Sequence, residues 1–357
     1  MSKRTVELEL ATPGLDARGQ PARVPLVARG LEPGNEPDLG GEHLLINLGP
    51  QHPATHGVLR LVVELDGEMV VRVIPHVGYL HSGFEKLGEY RHYNQIIPLT
   101  DRTDYLSPMA NNVGLALAAE QLMGIEITPR CQVLRVIACE MTNTFPNTLA
   151  EIDRVLTRNA VWAGRTQGIG VMTKAEAITY SLSGPMLRAS GVPYDVRKDK
   201  PYLGYETYDF EVPIGEHGDV YDRYLLRLEE CHQSNRILRQ ALDRLPDGPI
   251  NVDDPRVILP SKSRAMSDME AMIFHFKQVM EGVKAPVGEA YVGIENPKGE
   301  LGNYLVSDGT AKPVRWRIRP PSFINLSALP KMAEGHLLSD LIAINASVDI
   351  VMGEVDR

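Results

Sequence analysis

The clearest pattern in the chain is an alternation. Through Val58–Leu65 the apolar residues Leu59, Leu61, Val63 and Leu65 take every second position, with Arg60, Val62 and Glu64 between them. A period of two predicts a strand with one buried face. Asp66-Gly67 supplies a two-residue hairpin turn into Met69–Ile74, and the apolar stretch His43–Asn47 predicts a strand before them. The period then lengthens. Ser107-Pro108 reads as a helix start, with serine as N-cap and proline at the first helical position, and the helix runs through Ala110, Val113, Leu117 and Leu122 to a stop at Gly124. Thr128-Pro129 opens a second helix in the same way, carrying Val133, Val136 and Ile137. Pro146–Thr157 predicts a third, with Leu149, Ile152, Val155 and Leu156 on one face.

Beyond these, Gly164–Gly170 and Leu182–Gly191 read as glycine-rich turns, and 189–197 and 202–208 as loops dense in Tyr, Asp and Arg. Asp219–Leu245 is a long helix with Val220, Tyr224, Leu228, Cys231, Leu238, Leu242 and Leu245 at three-four spacing. Ser267-Asp-Met-Glu270 reads as a capping box opening a further helix, with Met269, Met272, Ile273, Phe276 and Met280 turned inward as core. Strands follow at Ala290–Ile294, Tyr304–Ser307 and Val314–Ile318, then a last apolar segment, Leu337–Val348. The pattern predicts an α+β fold. An arm spans 1–40, an antiparallel β unit 41–106, a helical bundle with glycine-rich loops 107–285, and a smaller C-terminal β region with a tail 286–357.

Composition narrows the class. The 357 residues are 43% hydrophobic and 23% charged, typical of a globular protein, and no apolar run approaches the roughly 18 residues of a membrane span. The start has neither a signal-peptide core nor a transit-peptide composition. A net charge of −9 argues against a nucleic-acid partner. Cys131, Cys139 and Cys231 lack Cys-x-x-Cys spacing, so neither a disulfide framework nor a four-thiolate metal site is expected. Gly168-Ile-Gly170 has no following Gly-x-x-Gly and makes a poor dinucleotide loop.

The chemistry concentrates in Asn47–Gly57, NLGPQHPATHG, which joins two predicted strands. Its prolines restrict φ and its glycines permit reversal, so it can fix the direction of an imidazole. On spacing alone, His52 and His56 are better explained by satisfying loop backbone groups than by chemistry. A second dense region, 75–105, carries His76, Tyr79, His81, Tyr90, His92, Tyr93 and Tyr105 among several arginines.

Five motifs carry a resemblance: NLGPQHPATHGVLR (47–60), GYLHSGFEK (78–86), RASGVPYDVRK (188–198), GYETY (204–208) and VMGEVDR (351–357). From about residue 43 onward the chain resembles the 49 kDa, or D, subunit of respiratory complex I, the NADH:quinone oxidoreductase of bacteria and mitochondria. That family is itself similar to the large subunit of nickel–iron hydrogenases. The resemblance implies a quinone substrate reduced by electrons from an iron–sulfur cluster in the neighbouring subunit. It implies that other peripheral-arm subunits are partners, that the membrane arm is reached through them, and that the chain lies peripherally on the cytoplasmic side of the bacterial inner membrane.

Carried across by motif, His56 corresponds to the histidine that bonds one quinone carbonyl and Tyr105 to the tyrosine that bonds the other. His52, Pro53, Thr55 and Gly57 shape the loop, His52 with contact to the cluster subunit as its other reading, and Val351 and Asp356 lie near the pocket. A phenol with a pKa of about 10 and an imidazole of about 6.5 can each donate one hydrogen bond and, if resupplied, one proton. The positions of the hydrogenase C-terminal cysteine pair fall in 349–356, where no cysteine stands. No metal and no flavin are therefore expected on this chain.

The sequence also departs from the family. After Glu140 the family continues with several dozen mostly helical residues, whereas this chain passes at once to Thr142–Asp153. The absent segment includes the aspartate that pairs with the loop histidine, and neither Glu140 nor Asp153 takes its role on sequence grounds. Two functions stay open. One is a quinone-reducing subunit of an NADH:quinone oxidoreductase, inactive alone. The other is a peripheral-arm scaffold that has lost quinone-reducing competence. A hydrogenase large subunit, a third reading, would require nickel and clustered cysteines.

Overall fold

The computed structural model describes residues 43–141 and 146–357, and residues 45–357 form one compact unit. The expected arm at 1–40 and the start of the Thr142–Asp153 stretch lie outside the described residues. The alternation at 59–65 forms its strand. Leu59, Leu61, Val63 and Leu65 are all at most 3% exposed, and β2 (Arg60–Asp66) pairs antiparallel with β3 (Met69–His76). The hairpin closes at Asp66 opposite Met69, and Gly67 adopts the left-handed conformation the turn requires (φ 60°). With β1 (His43–Leu48) these make a three-stranded sheet in the order β1-β2-β3. A second sheet, β4 (Gly288–Asn296), β5 (Gly299–Ser307) and β6 (Arg315–Arg319), is an antiparallel meander.

Each sheet carries its own core. The first packs against Met172, Leu182, Met186, Leu326, Leu329 and the C-terminal residues Ile344–Val355. The second packs against Val113, Leu115 and Ala118 of the Pro108–Met123 helix, with the fully buried Trp316 at its centre. The region after β6 is helical: Pro321–Ser327, Leu329–Ala333, Leu338–Val348 and Met352–Asp356. The apolar segment 337–348 is thus a helix, and the C-terminal β region ends at Arg319.

Several expectations are corrected. Ser107 does not cap the Pro108–Met123 helix; its hydroxyl makes no cap bond. Instead the Asp104 carboxylate accepts the Leu106 and Ser107 N–H groups, at 3.1 and 3.2 Å. The capping box at 267–270 does not form either. Ser267 ends a short helix, Lys262–Ser267, and Asp268 caps the next, Met269–Glu281, by accepting the Glu270 N–H. On that helix the apolar stripe faces outward: Met269, Met272, Phe276 and Met280 are each more than half exposed. Periodicity reports a stripe and not what covers it, and within this chain only Ala271 of the helix is buried.

The long helix forms as Val220–Asp243, yet its buried face is Val220, Arg223, Leu226, Ser234, Ile237 and Ala241, while Leu242 is exposed. Two polar residues on the inward face hid it. The third expected helix is Pro146–Ile152 continued by a π turn, Asp153–Thr157, and none of its apolar residues is buried. Within Leu182–Gly191, read as a turn, Pro185–Ala189 is a short buried helix.

Candidate functional site

The His52–Gly57 loop is held by its own backbone chemistry. His52 stands at the N-cap of a single 3-10 turn, Pro53–Thr55, and its Nδ1 accepts the Ala54 N–H at 3.2 Å. Pro53 supplies the fixed φ of the first position. Thr55 is fully buried and its hydroxyl donates to the His52 carbonyl at 3.0 Å. Gly49 lies so close to the strand that a Cβ there would sit 2.2 Å from the Leu59 carbonyl oxygen. The turn ends in two successive left-handed residues, His56 (φ 53°) and Gly57 (φ 79°). A non-glycine residue in that region is uncommon, and His56 is exposed there. Beneath it, Asn345 Nδ2 donates to the Ala54 carbonyl at 2.7 Å and ties the loop to the Leu338–Val348 helix.

That helix leads directly into the C-terminal motif, and the motif gathers the other site residues. Val351 is buried, its N–H against the Ser322 hydroxyl. The Met352–Asp356 helix presses on the Arg102–Thr103 backbone, just before Tyr105, so closely that a Cβ on Gly353 would fall 2.2 Å from the Arg102 carbonyl oxygen. The Met352 backbone lies near enough to the Tyr105 hydroxyl to favour its ionised form slightly. Asp356 is buried, and its two oxygens accept the N–H groups of Gly78 and Leu80, at 2.8 and 2.6 Å. The His81 ring bonds the Asp356 carbonyl, and the Arg357 carbonyl accepts from Ser82 and Gly83. One tail thus fixes the loop of His56, the segment of Tyr105 and the turn at 78–83.

The electrostatics differ at His56 and Tyr105. Partial burial holds the His56 pKa below the ordinary imidazole value, and the Asp349 carboxylate opposes this. Desolvation raises the Tyr105 pKa, and the neighbouring Asp104 charge raises it further. At neutral pH the phenol therefore keeps its proton, and the imidazole is biased toward its neutral form. Tyr105 is 51% exposed and His56 is also exposed, with Leu106 exposed beside the tyrosine and Asp104 fully buried before it.

Glu140, weighed in the sequence for the role of the absent aspartate, is committed elsewhere. It is buried, accepts the Tyr205 hydroxyl at 2.8 Å and pairs with Arg197 at 3.2 Å. Arg197 in turn pairs with Asp195, and the fully buried Arg188 reaches Glu230 and Glu295 at 2.6 and 2.7 Å. This network locks the 188–198 motif into the core. Asp153 is exposed on its π turn. The carboxylate that acts on His56 is Asp349, in the left-handed conformation (φ 57°) at the end of the Leu338–Val348 helix.

Two groups near the site escaped the sequence analysis. Lys298, at the tip of the β4–β5 hairpin, and Glu354, in the C-terminal motif, are both buried. Glu354 has one oxygen bonded by the Ser322 hydroxyl at 2.6 Å and the other without a partner, and burial pushes its pKa up to about 8. Only its placement in the VMGEVDR motif could have marked it. Nothing local marks Lys298. Among the described residues no cluster of three or more His, Cys, Asp or Glu is arranged to hold a metal ion, and no helix is long and apolar enough to cross a membrane.

Comparison with known proteins agrees with the motifs. The family model of the respiratory-chain NADH dehydrogenase 49 kDa subunit matches residues 126–357. The D subunit of the NADH-quinone oxidoreductase of Geotalea uraniireducens is 45% identical over 386 aligned positions, covering 88% of this chain and 99% of that protein. Its counterpart from Methylacidiphilum infernorum is 46% identical, covering 89% of this chain and 93% of the relative. That of Ehrlichia canis is 43% identical, covering 88% and 98%. The 386 aligned positions exceed the 357 residues of this chain because the relative carries residues that this chain lacks. The chain belongs to the family of the 49 kDa subunit of respiratory-chain NADH dehydrogenase.

Proposed function

We propose that this chain supplies the proton-donating wall of a quinone-reduction site, with His56 and Tyr105 bonding the two quinone carbonyls. The observation that carries this reading is convergence on one tail. Asn345 of the Leu338–Val348 helix holds the His56 loop, and the Met352–Asp356 helix that follows packs against the backbone just before Tyr105. Two-electron reduction of a quinone takes up two electrons and two protons. The phenol retains its proton at neutral pH and donates one hydrogen bond; the imidazole donates from its protonated nitrogen. Electrons arrive one at a time from an iron–sulfur cluster in the adjacent subunit, so this chain needs no hydride carrier. The exposed side of Tyr105 is the side that the cluster-bearing subunit closes. The chain works as one subunit of the membrane-associated complex, beside other peripheral-arm subunits, on the cytoplasmic face of a bacterial inner membrane.

A scaffold without redox competence is the second reading. It is favoured by one observation, the lowered His56 pKa, since the imidazolium is disfavoured where the family's partner aspartate is lacking. Binding of a radiolabelled quinone-site inhibitor to the assembled complex separates the two. Stoichiometric binding that added quinone displaces, and that Tyr105→Phe weakens, supports a quinone site. An assembled complex with no displaceable binding supports the scaffold.

A further inference from the structure

The tip of a tight β-hairpin normally projects into solvent, and a lysine there keeps its ammonium hydrated. The β4–β5 hairpin is different. Asn296 pairs with Gly299, so Pro297 and Lys298 form a two-residue turn, yet Lys298 is only 6% exposed. The tip is driven inward by close backbone packing. A Cβ on Gly299 would meet the Ser183 hydroxyl oxygen at 2.5 Å, a Cβ on Gly184 would meet the Gly299 Cα at 2.4 Å, and Asn325 Nδ2 holds the Lys298 carbonyl at 3.0 Å. At the hairpin base, Asn296 Nδ2 donates to Asp104 at 3.1 Å.

The result is a buried ammonium between two carboxylates. Lys298 Nζ lies 3.8 Å from Asp104 Oδ2 and 4.0 Å from Asp349 Oδ2. Asp104 precedes Tyr105, and Asp349 is the carboxylate that acts on His56. We propose that Lys298 is a positioning residue for quinone reduction: its single ammonium, held inside the hairpin tip, links the carboxylates behind the two proton donors so that the imidazole and the phenol share one electrostatic environment. This inference rests on the quinone-site reading of His56 and Tyr105.

An isolated buried ammonium is costly, and flanking carboxylates keep it charged. Three carboxyl groups face it: Asp104 from the segment before the Pro108–Met123 helix, Asp349 at the end of the Leu338–Val348 helix, and Glu354, whose ionised form it favours. Arg227 of the long helix is also 3.8 Å from Asp349, so Asp349 keeps a cation when Lys298 is removed while Asp104 loses its own. Removing the ammonium therefore acts more strongly at the tyrosine end. With a cation gone, every remaining acidic or basic group nearby holds its proton to higher pH.

The test uses the complete membrane-bound complex carrying Lys298→Met or Lys298→Arg, with rates measured across pH for a short-chain quinone and for an artificial acceptor that bypasses the site. The expected result for the Met variant is at least about a tenfold fall in quinone turnover, with the pH profile displaced upward by about one unit. The artificial-acceptor rate stays at its native level, and the Arg variant recovers most of the turnover and the native profile. A Met variant with native turnover and profile overturns the inference. So does an Arg variant as impaired as Met, which would mark a purely steric role, and so does loss of assembly in both variants, which would assign the lysine to folding. Tyr105→Phe measured alongside separates the two levels: if it too leaves quinone turnover intact, the quinone-site reading fails as well.

Discussion

Asn345 donates a 2.7 Å hydrogen bond from its side chain to the Ala54 carbonyl, and so holds the loop of His56 on the helix that runs into the C-terminal motif. Asn345 is 1% exposed, and this bond is a cross-link between two segments almost three hundred residues apart in sequence. Replacing it with leucine leaves a buried carbonyl without its donor, at a cost of about 1–3 kcal/mol. Asn345→Leu should lower the stability of the assembled subunit by that amount in a denaturant titration. It should also raise the KM for quinone more than it lowers kcat, because the loop is misplaced and its chemistry is unchanged.

Tyr105→Phe removes one hydroxyl and little volume. A positioned acid contributes roughly a hundredfold or more to a proton transfer. The variant complex should therefore lose about that factor in quinone turnover while its rate with artificial acceptors is unaltered. Unchanged quinone turnover would remove Tyr105 from the site.

Glu354 gives a pH dependence with a definite sign. Its pKa is raised to about 8 in the fold against an ordinary value of 4.5, because it is buried beside the Asp104 charge. The folded chain thus binds the proton more tightly than the unfolded one. The stabilisation is fully present below pH 4.5 and is lost as pH rises through about 8. Glu354→Gln cannot ionise. Thermal inactivation of the complex should quicken between about pH 5 and 8 more steeply in the native protein than in this variant, and parallel pH curves would refute the assignment.

Arg188 is the centre of the buried charge network, 2% exposed and shared among Glu230, Glu295 and Asp195. Arg188→Met leaves Glu230 and Glu295 without their closest cation, Asp195 keeping Arg197, which costs about 3–5 kcal/mol. Given total stabilities of about 5–15 kcal/mol, the subunit should be recovered in the complex at a small fraction of the native amount. Quantitative immunoblotting of membranes measures this directly. Native abundance would show that the network is not needed for folding.

What the sequence revealed and what it hid divide along physical lines. The strand at 59–65 was legible because alternation is local and its buried face lies within the same chain. The Thr128 cap was legible for the same reason: its hydroxyl accepts the Cys131 N–H three residues on. The Ser107 cap does not form; the turn before the helix is instead organised by Asp104, which accepts the Leu106 and Ser107 N–H groups. The methionine stripe at 269–280 has the periodicity of a core helix but no cover within this chain. His56 and Tyr105 are singled out by motifs alone; no periodicity marks them. Lys298 was invisible because a Pro-Lys hairpin tip is ordinarily a solvated turn, and its burial depends on Ser183, Gly184 and Asn325, distant in sequence. The effect of the Asp349 charge on His56 was equally hidden, since it depends on where the Leu338–Val348 helix ends in space and not on any spacing.

The most direct measurement is quinone-dependent NADH oxidation by membranes whose only copy of this subunit is the present chain. A quinone site formed by His56 and Tyr105 predicts a steady rate that a quinone-site inhibitor abolishes and that Tyr105→Phe removes. A complex that assembles and reduces artificial acceptors, yet passes no electrons to quinone, would contradict it.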